Sequence, residues 1–205
     1  MRIKPFVFLL CLAPLGLLIG RGVNNTLGAN PIEFITHATG AWTLRFLILT
    51  LSITPLRRLL HQPQLIRYRR MLGLFAFFYG CLHVLTYVWL DKFFDISAMI
   101  ADVGKRRFIT AGFTAFVLMI PLAVTSTAHW IRKLGGKRWQ ALHRLIYASA
   151  VAGVVHYYWL VKSDVRRPAA YAAMVAALLL FRLALRKLRA AEAQSSAMNL
   201  TQTGL

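Results

Sequence analysis

Three histidines lie where an ionisable ring is costly. His83, His143 and His156 stand inside stretches otherwise built of Leu, Val, Ala, Phe and Tyr, and ionisable side chains at membrane depth are rare and tend to be functional. His83 is 12 residues beyond Met71, about 18 Å along a helix that rises 1.5 Å per residue. His156 is 17 residues beyond Trp139, about 25 Å along its own helix. Two helices that enter the membrane from the same side would bring these rings to similar depth, in the far half of the bilayer. There they can meet across a bundle. Two facing imidazoles suit a bis-histidyl haem, since histidine is a standard axial ligand and bundles build cofactor sites between facing helices.

The neighbours of these rings are small. Gly73, Ala76 and Gly80 share the His83 face, and Ser149, Ala152 and Gly153 share the His156 face. Such residues leave room for a flat macrocycle; they equally permit close helix packing with the histidines hydrogen-bonded across it. Zinc needs a third or fourth ligand, and no Asp, Glu or Cys stands near at that depth. His143 lies about 20 Å below His156 on the same helix and is rotated from it by roughly 140°. The third stretch offers Tyr68, Arg69, Arg70 and Met71 at that level and no histidine. A second haem with one protein ligand, a propionate or quinone contact and a structural hydrogen bond are all open for His143. His61 and His129 fall at loops or stretch ends, where solvated or interfacial roles suffice; His37 precedes the second stretch, where helix capping, a headgroup contact and a functional role are all open.

The elements that must carry these rings are membrane helices. Of 205 residues, 58% are hydrophobic and 15% charged, against about 45–50% and about 25% in soluble domains. Six stretches approach the ~20 apolar residues a spanning helix needs, at about 5–20, 43–60, 71–90, 108–128, 139–161 and 169–188. The first follows Arg2 and Lys4 as a leader peptide would, but lacks a small-x-small cleavage site, so it is read as a retained span. The fold expected is all-α, an integral membrane six-helix bundle over residues 1–189, with a polar, disordered cytoplasmic tail over 190–205. Cations at the span ends set orientation. Fifteen Lys and Arg collect on one side, including Arg67, Arg69, Lys137 and Arg182, against eight on the other. Both termini are therefore placed in the cytoplasm. The net charge of +19 punctuates apolar runs and forms no nucleic-acid stripe. Cys11 and Cys81 make no disulfide framework.

Several motifs carry a resemblance. The run Arg67-Tyr68-Arg69-Arg70-Met71-Leu72-Gly73-Leu74, with Leu82-His83 and Tyr87, is similar to the MsrQ (YedZ) family, as is Lys133 to His143 (through Trp139-Gln140-Ala141-Leu142) followed by His156-Tyr157. Gly28-Ala29-Asn30-Pro31, His37-Ala38-Thr39-Gly40, Thr54-Pro55-Leu56 and Thr125-Ser126-Thr127 match as well. The resemblance spans about residues 25–188. It implies a six-span, multi-pass b-haem protein of the bacterial inner membrane, within the ferric-reductase-like transmembrane superfamily. It further implies electron transfer from the quinone pool, or from a flavin reductase as donor, to a periplasmic molybdopterin methionine-sulfoxide reductase subunit (MsrP) that repairs oxidised proteins. The histidines carried over are His83, His143 and His156, with haem b as cofactor in one copy or two, and FMN by resemblance only. Larger superfamily members place two histidines on each of two helices, and here the inner position of the third span lacks one. The sulfoxide reduction itself would fall to the partner. The reading from another class is a small transporter or proton pathway that relays protons through intramembrane histidines; a b-type haem spectrum separates the two.

Overall fold

Long apolar runs form helices here because a lipid environment leaves backbone N–H and C=O groups no other partner. The computed structural model describes residues 3–202, with side chains described through Leu188 and at Gln194; Arg2 and residues 203–205, which the cation tally and the expected tail include, lie outside the described residues. The helices are α1 Ile3–Val23, α2 Pro31–Leu59, α3 Ile66–Leu85, α4 Ile96–Lys105, α5 Arg107–Val124, α6 Ala128–Leu134, α7 Gly136–Leu142, α8 Leu145–Leu160 and α9 Arg166–Gln202. Among the described residues there is no strand. The chain is all-helical and belongs in a membrane: its flanks carry Phe6, Leu9, Leu17, Val117, Ile120, Val151, Leu180 and Leu183 exposed.

Among the described residues five segments are long and apolar enough to cross a bilayer: Ile3–Val23, Pro31–Leu59, Pro63–Asp91, Arg107–Val124 and Arg166–Leu188. The stretch expected at 139–161 is divided. Helix α7 stops at Leu142, His143 and Arg144 form a turn, and α8 supplies 16 residues, about 24 Å. His143 and Arg144 keep right-handed helical dihedrals (φ −69° and −71°), so the helix tightens there and does not reverse. Helix α2 begins 12 residues, a little over three turns, before the stretch expected at 43–60. Asn30 caps it by accepting the Glu33 N–H at 3.2 Å, and Pro31 starts the first turn, where a missing N–H costs nothing. His37 thereby falls inside α2. At the other end, α9 runs on into the polar segment past 190 as helical backbone. Ala190, Ala191 and Ala193 are strong helix formers, a property polarity does not report.

Helices α2, α3, α5 and α8 form the core, most closely packed as the pairs α2–α3 and α5–α8. Phe46 stacks on Phe75 and Tyr79 at 5.7 and 5.2 Å between ring centres. The Tyr79 hydroxyl enters α1 beside Pro14, donating to Cys11 O at 3.0 Å and accepting from Leu15 N at 3.1 Å. It bridges the two groups that would otherwise pair within α1, since residue 15 normally bonds residue 11. That insertion fixes the outer helix to the core.

Candidate functional site: two histidines held by two glycine-bearing helices

His83 projects from α3 toward the first turns of α2. Its Nδ1 lies 3.0 Å from the Thr36 carbonyl. A carbonyl only accepts, so Nδ1 carries the proton and Nε2 keeps the lone pair. The ring reaches that carbonyl across Gly40: a Cβ there would lie 2.9 Å from Cε1 of His83. His156 on α8 repeats the arrangement against α5. Its Nδ1 donates to Phe108 O at 2.6 Å, and a Cβ on Gly112 would lie 2.6 Å from that nitrogen. In each case the acceptor stands four residues before the glycine. Helical N–H groups bond the carbonyl four residues back, so each imidazole shares a carbonyl with a glycine N–H and occupies the space its side chain would fill.

The two rings face one another. Their centres are 6.0 Å apart and their planes inclined by 70°. Imidazoles on opposite sides of one metal ion, with metal–nitrogen bonds of about 2.0 Å, have ring centres roughly 6 Å apart. Ligating histidines nearly always donate the other ring N–H to a carbonyl or carboxylate, which fixes tautomer and orientation. Both rings meet that requirement. Among the described residues no third His, Cys, Asp or Glu joins them in a metal-holding group. Two protein nitrogens are the donor set on offer, and the four equatorial positions of a porphyrin complete it. The residues present fit a haem.

Of the sequence-predicted residues, His83 and His156 are brought together and His143 is not. The His143 ring stacks on Trp139 at 3.8 Å between centres, its Nδ1 donates to Trp139 O at 3.1 Å, and Trp139 Nε1 donates to Thr125 O at 2.8 Å. The Nε2 atom is buried without a hydrogen-bond partner. Gly73, Gly80, Gly153 and Ser149 lie in packing contacts. A Cβ on Gly73 would touch Thr50 at 3.6 Å, one on Gly80 would meet Met119 Cε at 3.0 Å, and one on Gly153 would touch Leu44 at 3.7 Å. Ser149 is fully buried and donates to Ala115 O at 2.9 Å. They close the bundle because a helix bearing Gly or Ala lets its neighbour approach. Gly112 and the two carbonyls escaped the sequence reading. The available signal was a lone glycine inside an apolar helix, which costs about 1 kcal/mol against alanine and asks for a reason.

A polar cap covers the same end of the bundle. The last turn of α3 widens into a π-helix over Thr86–Asp91, a feature often found at functional sites. It carries Tyr87, whose hydroxyl donates to Asp102 at 3.1 Å. Asp102 on α4 also pairs with Lys92 at 2.7 Å and Arg106 at 3.1 Å. The Lys92 hydrogen bond, with help from Tyr87 and Arg106, holds the Asp102 carboxyl below the usual carboxylate range. The same bond raises the Lys92 ammonium above its ordinary value.

The chain is similar to known proteins over most of its length. The family model for the ferric reductase like transmembrane component matches residues 39–154. A Herminiimonas arsenicoxydans protein named protein-methionine-sulfoxide reductase heme-binding subunit MsrQ is 56% identical over 183 residues, covering 88% of this chain and 84% of its own. Proteins of the same name from Azospira oryzae and Bordetella pertussis are 56% and 52% identical, covering 88% and 89% of this chain and 78% and 89% of theirs. No solved structure matches the chain.

Proposed function

This chain belongs to the MsrQ family of haem-binding subunits, and from that premise we propose that it carries electrons across the bacterial inner membrane to a periplasmic methionine-sulfoxide reductase. The observation that supports the ligand pair is the approach of His83 and His156 to 6.0 Å between ring centres, with both Nδ1 protons committed to backbone carbonyls. His83 and His156 would hold one haem b there. When bound, it supplies one-electron chemistry that no side chain of the chain offers. The protein's part is to fix both imidazoles in the ligating tautomer, exclude water and set the dielectric around the iron. Six spans, counting α7–α8 as one, would leave both termini on the same side, and the cation bias favours the cytoplasm for them and the outer leaflet for the haem. Electrons enter from the quinone pool or a flavin donor inside and leave toward a molybdopterin partner (MsrP) outside. Among the described residues no second histidine groups with His143, and this reading gives His143 no axial role in the His83–His156 haem. For FMN, the described residues provide no strand and no glycine-rich phosphate loop, and the basic side chains at the inner end are those able to face its phosphate. A proton relay is less well served: it needs rings free to exchange both protons, and each Nδ1–H here is fixed.

The test is spectroscopic. Purified protein should show a low-spin b-type spectrum with one haem per chain. His83→Ala or His156→Ala should lose most of the haem or leave it high-spin and open to added imidazole. A colourless wild type, or either variant keeping the wild-type spectrum, would overturn the assignment. In cells, deleting the chain should leave the partner reductase folded but without its electron supply.

A further inference from the structure

One cation stands on the outside of the bundle at membrane depth with no anion to meet it. Helix α2 is 29 residues long and Arg45 is its middle residue, about 21 Å from each end. The hydrocarbon core of a bilayer is about 30 Å thick, so Arg45 lies within it. The residue is exposed, as are Leu49 and Leu56, which follow on the same face of the helix. Among the described residues the ion pairs lie around Asp91 and Asp102 in the cap, and none involves Arg45. A charged side chain at such depth is rare and asks for a partner.

The guanidinium is nonetheless held in place. Its Nε donates to the Tyr171 hydroxyl on α9 at 3.1 Å, and its central carbon sits over the Trp42 ring, 4.6 Å from the centre. Tyr171 is in turn set edge-on to Tyr157 of α8, at 5.9 Å between ring centres. It lies five residues beyond Arg166, the start of α9, about 7.5 Å into that helix. With Nε engaged by Tyr171, the two Nη groups have no hydrogen-bond partner among the described residues. They leave an open fork of donors, the shape that matches two oxygens of one phosphate.

We propose that Arg45, Tyr171 and Trp42 seat the phosphodiester of a glycerophospholipid from the leaflet on the Arg166 side, its acyl chains lying along Leu49 and Leu56. A phosphodiester carries one negative charge and the seat one positive, so the pair is neutral without any acid from the protein. A leaflet accommodates a cation held below its headgroups by thinning locally. The descent asked of the phosphate is short, since α9 begins only about a turn and a half before Tyr171. Tyr171 and Trp42 are positioning residues: they fix the plane of the guanidinium, which spares the cost of ordering it when the lipid arrives. Phospholipid surrounds every such helix, whereas a partner helix would have to carry its own carboxylate into hydrocarbon. The seat rests on the chain's membrane location and is independent of the haem assignment.

The full chain in neutral detergent is titrated with phosphatidylglycerol, or with diacylglycerol as the analogue lacking phosphate, and bound lipid is counted by native mass spectrometry. The first phosphatidylglycerol should bind about tenfold or more tightly than diacylglycerol, the worth of a hydrogen bond between charged groups. Arg45→Gln should remove that difference. Arg45→Lys should restore part of it, as a point charge without the fork, and Tyr171→Phe should weaken retention severalfold. Arg67→Gln, at the other end of the bundle, should leave it unchanged. If Arg45→Gln does not fold to a monodisperse protein, Arg45→Lys and Tyr171→Phe carry the test. Full phosphatidylglycerol affinity in the Arg45 variants, or equal affinity of wild type for diacylglycerol, overturns the proposal. So does a wild-type dimer that Arg45→Gln dissociates, which would give the fork to a second copy of the chain. A colourless wild type that retains the lipid would refute the haem assignment alone.

Discussion

Replacing Gly112 by Ala places one carbon where the His156 imidazole now stands. The added Cβ would lie 2.6 Å from Nδ1, 2.9 Å from Cε1 and 3.1 Å from Cγ, while ordinary van der Waals contact begins near 3.4 Å. The ring must therefore retreat by about 0.8 Å or rotate away, and the obstruction sits beside the nitrogen that donates to Phe108 O at 2.6 Å. Losing that hydrogen bond costs about 0.5–1.5 kcal/mol by itself. Losing the orientation it gives a ligand typically costs 10–100-fold in metal affinity, or about 1.4–2.7 kcal/mol at 1.36 kcal/mol per tenfold. The helix itself would gain from the substitution, because alanine is the better helix former by about 1 kcal/mol. The two effects oppose each other in stability and separate in the haem. Gly112→Ala should express and fold, yet bind haem at least tenfold more weakly or show a shifted low-spin electron paramagnetic resonance signal. Gly40→Ala should act in the same direction on His83, less severely, since its closest approach is 2.9 Å to Cε1. Gly104→Ala, with nothing within 4 Å of the new atom, is the control. Full haem content with an unaltered spectrum in Gly112→Ala would refute the view that the glycine exists to admit the ring.

His143→Ala should keep the low-spin signal of the His83–His156 haem, read by absorbance and haem-to-protein ratio; loss of all haem would make His143 a ligand. Asp102 should govern an acid transition of the cap: its carboxyl is held below the ordinary value of about 3.9, so its contribution is complete above about pH 4 and is lost as pH falls through the folded value. Wild type and Asp102→Asn should accordingly melt apart at pH 7 and converge as the pH falls through the folded value of Asp102, and a gap that does not narrow under acid would exclude this role. Reporter fusions at Arg67 and Lys137 should read cytoplasmic and one at Asp95 periplasmic; a periplasmic reading at Lys137 would reverse the orientation.

What the sequence discloses and what it withholds divide along a physical line. Depth is legible because it depends only on count and rise, and so the meeting of His83 and His156 follows from where apolar runs begin. The helix ends are less legible where capping chemistry overrides hydropathy, as at Asn30 and Pro31, or where a helix tightens inside a stretch that reads as one span, as at His143 and Arg144. Least legible is what lies across a helix interface, since one sequence does not state which glycine faces which ring. Gly73, Gly80 and Gly153 sit beside the histidines in helical spacing and serve packing, whereas Gly40 and Gly112 sit on other helices and admit the rings. Their common offset reveals why the fold needs two similar pairs. In α2–α3 and again in α5–α8, the first helix offers a carbonyl and, four residues on, a glycine, and the second offers a histidine. Each pair alone can fix a single imidazole in the ligating tautomer; neither can ligate an axially paired iron. Packing α3 against α5 and α2 against α8 brings the two half-sites face to face. The 6.0 Å between ring centres is therefore set by backbone packing across four helices, and under the proposed ligation it is this packing, not side-chain choice at the histidines, that would present the two rings to one haem.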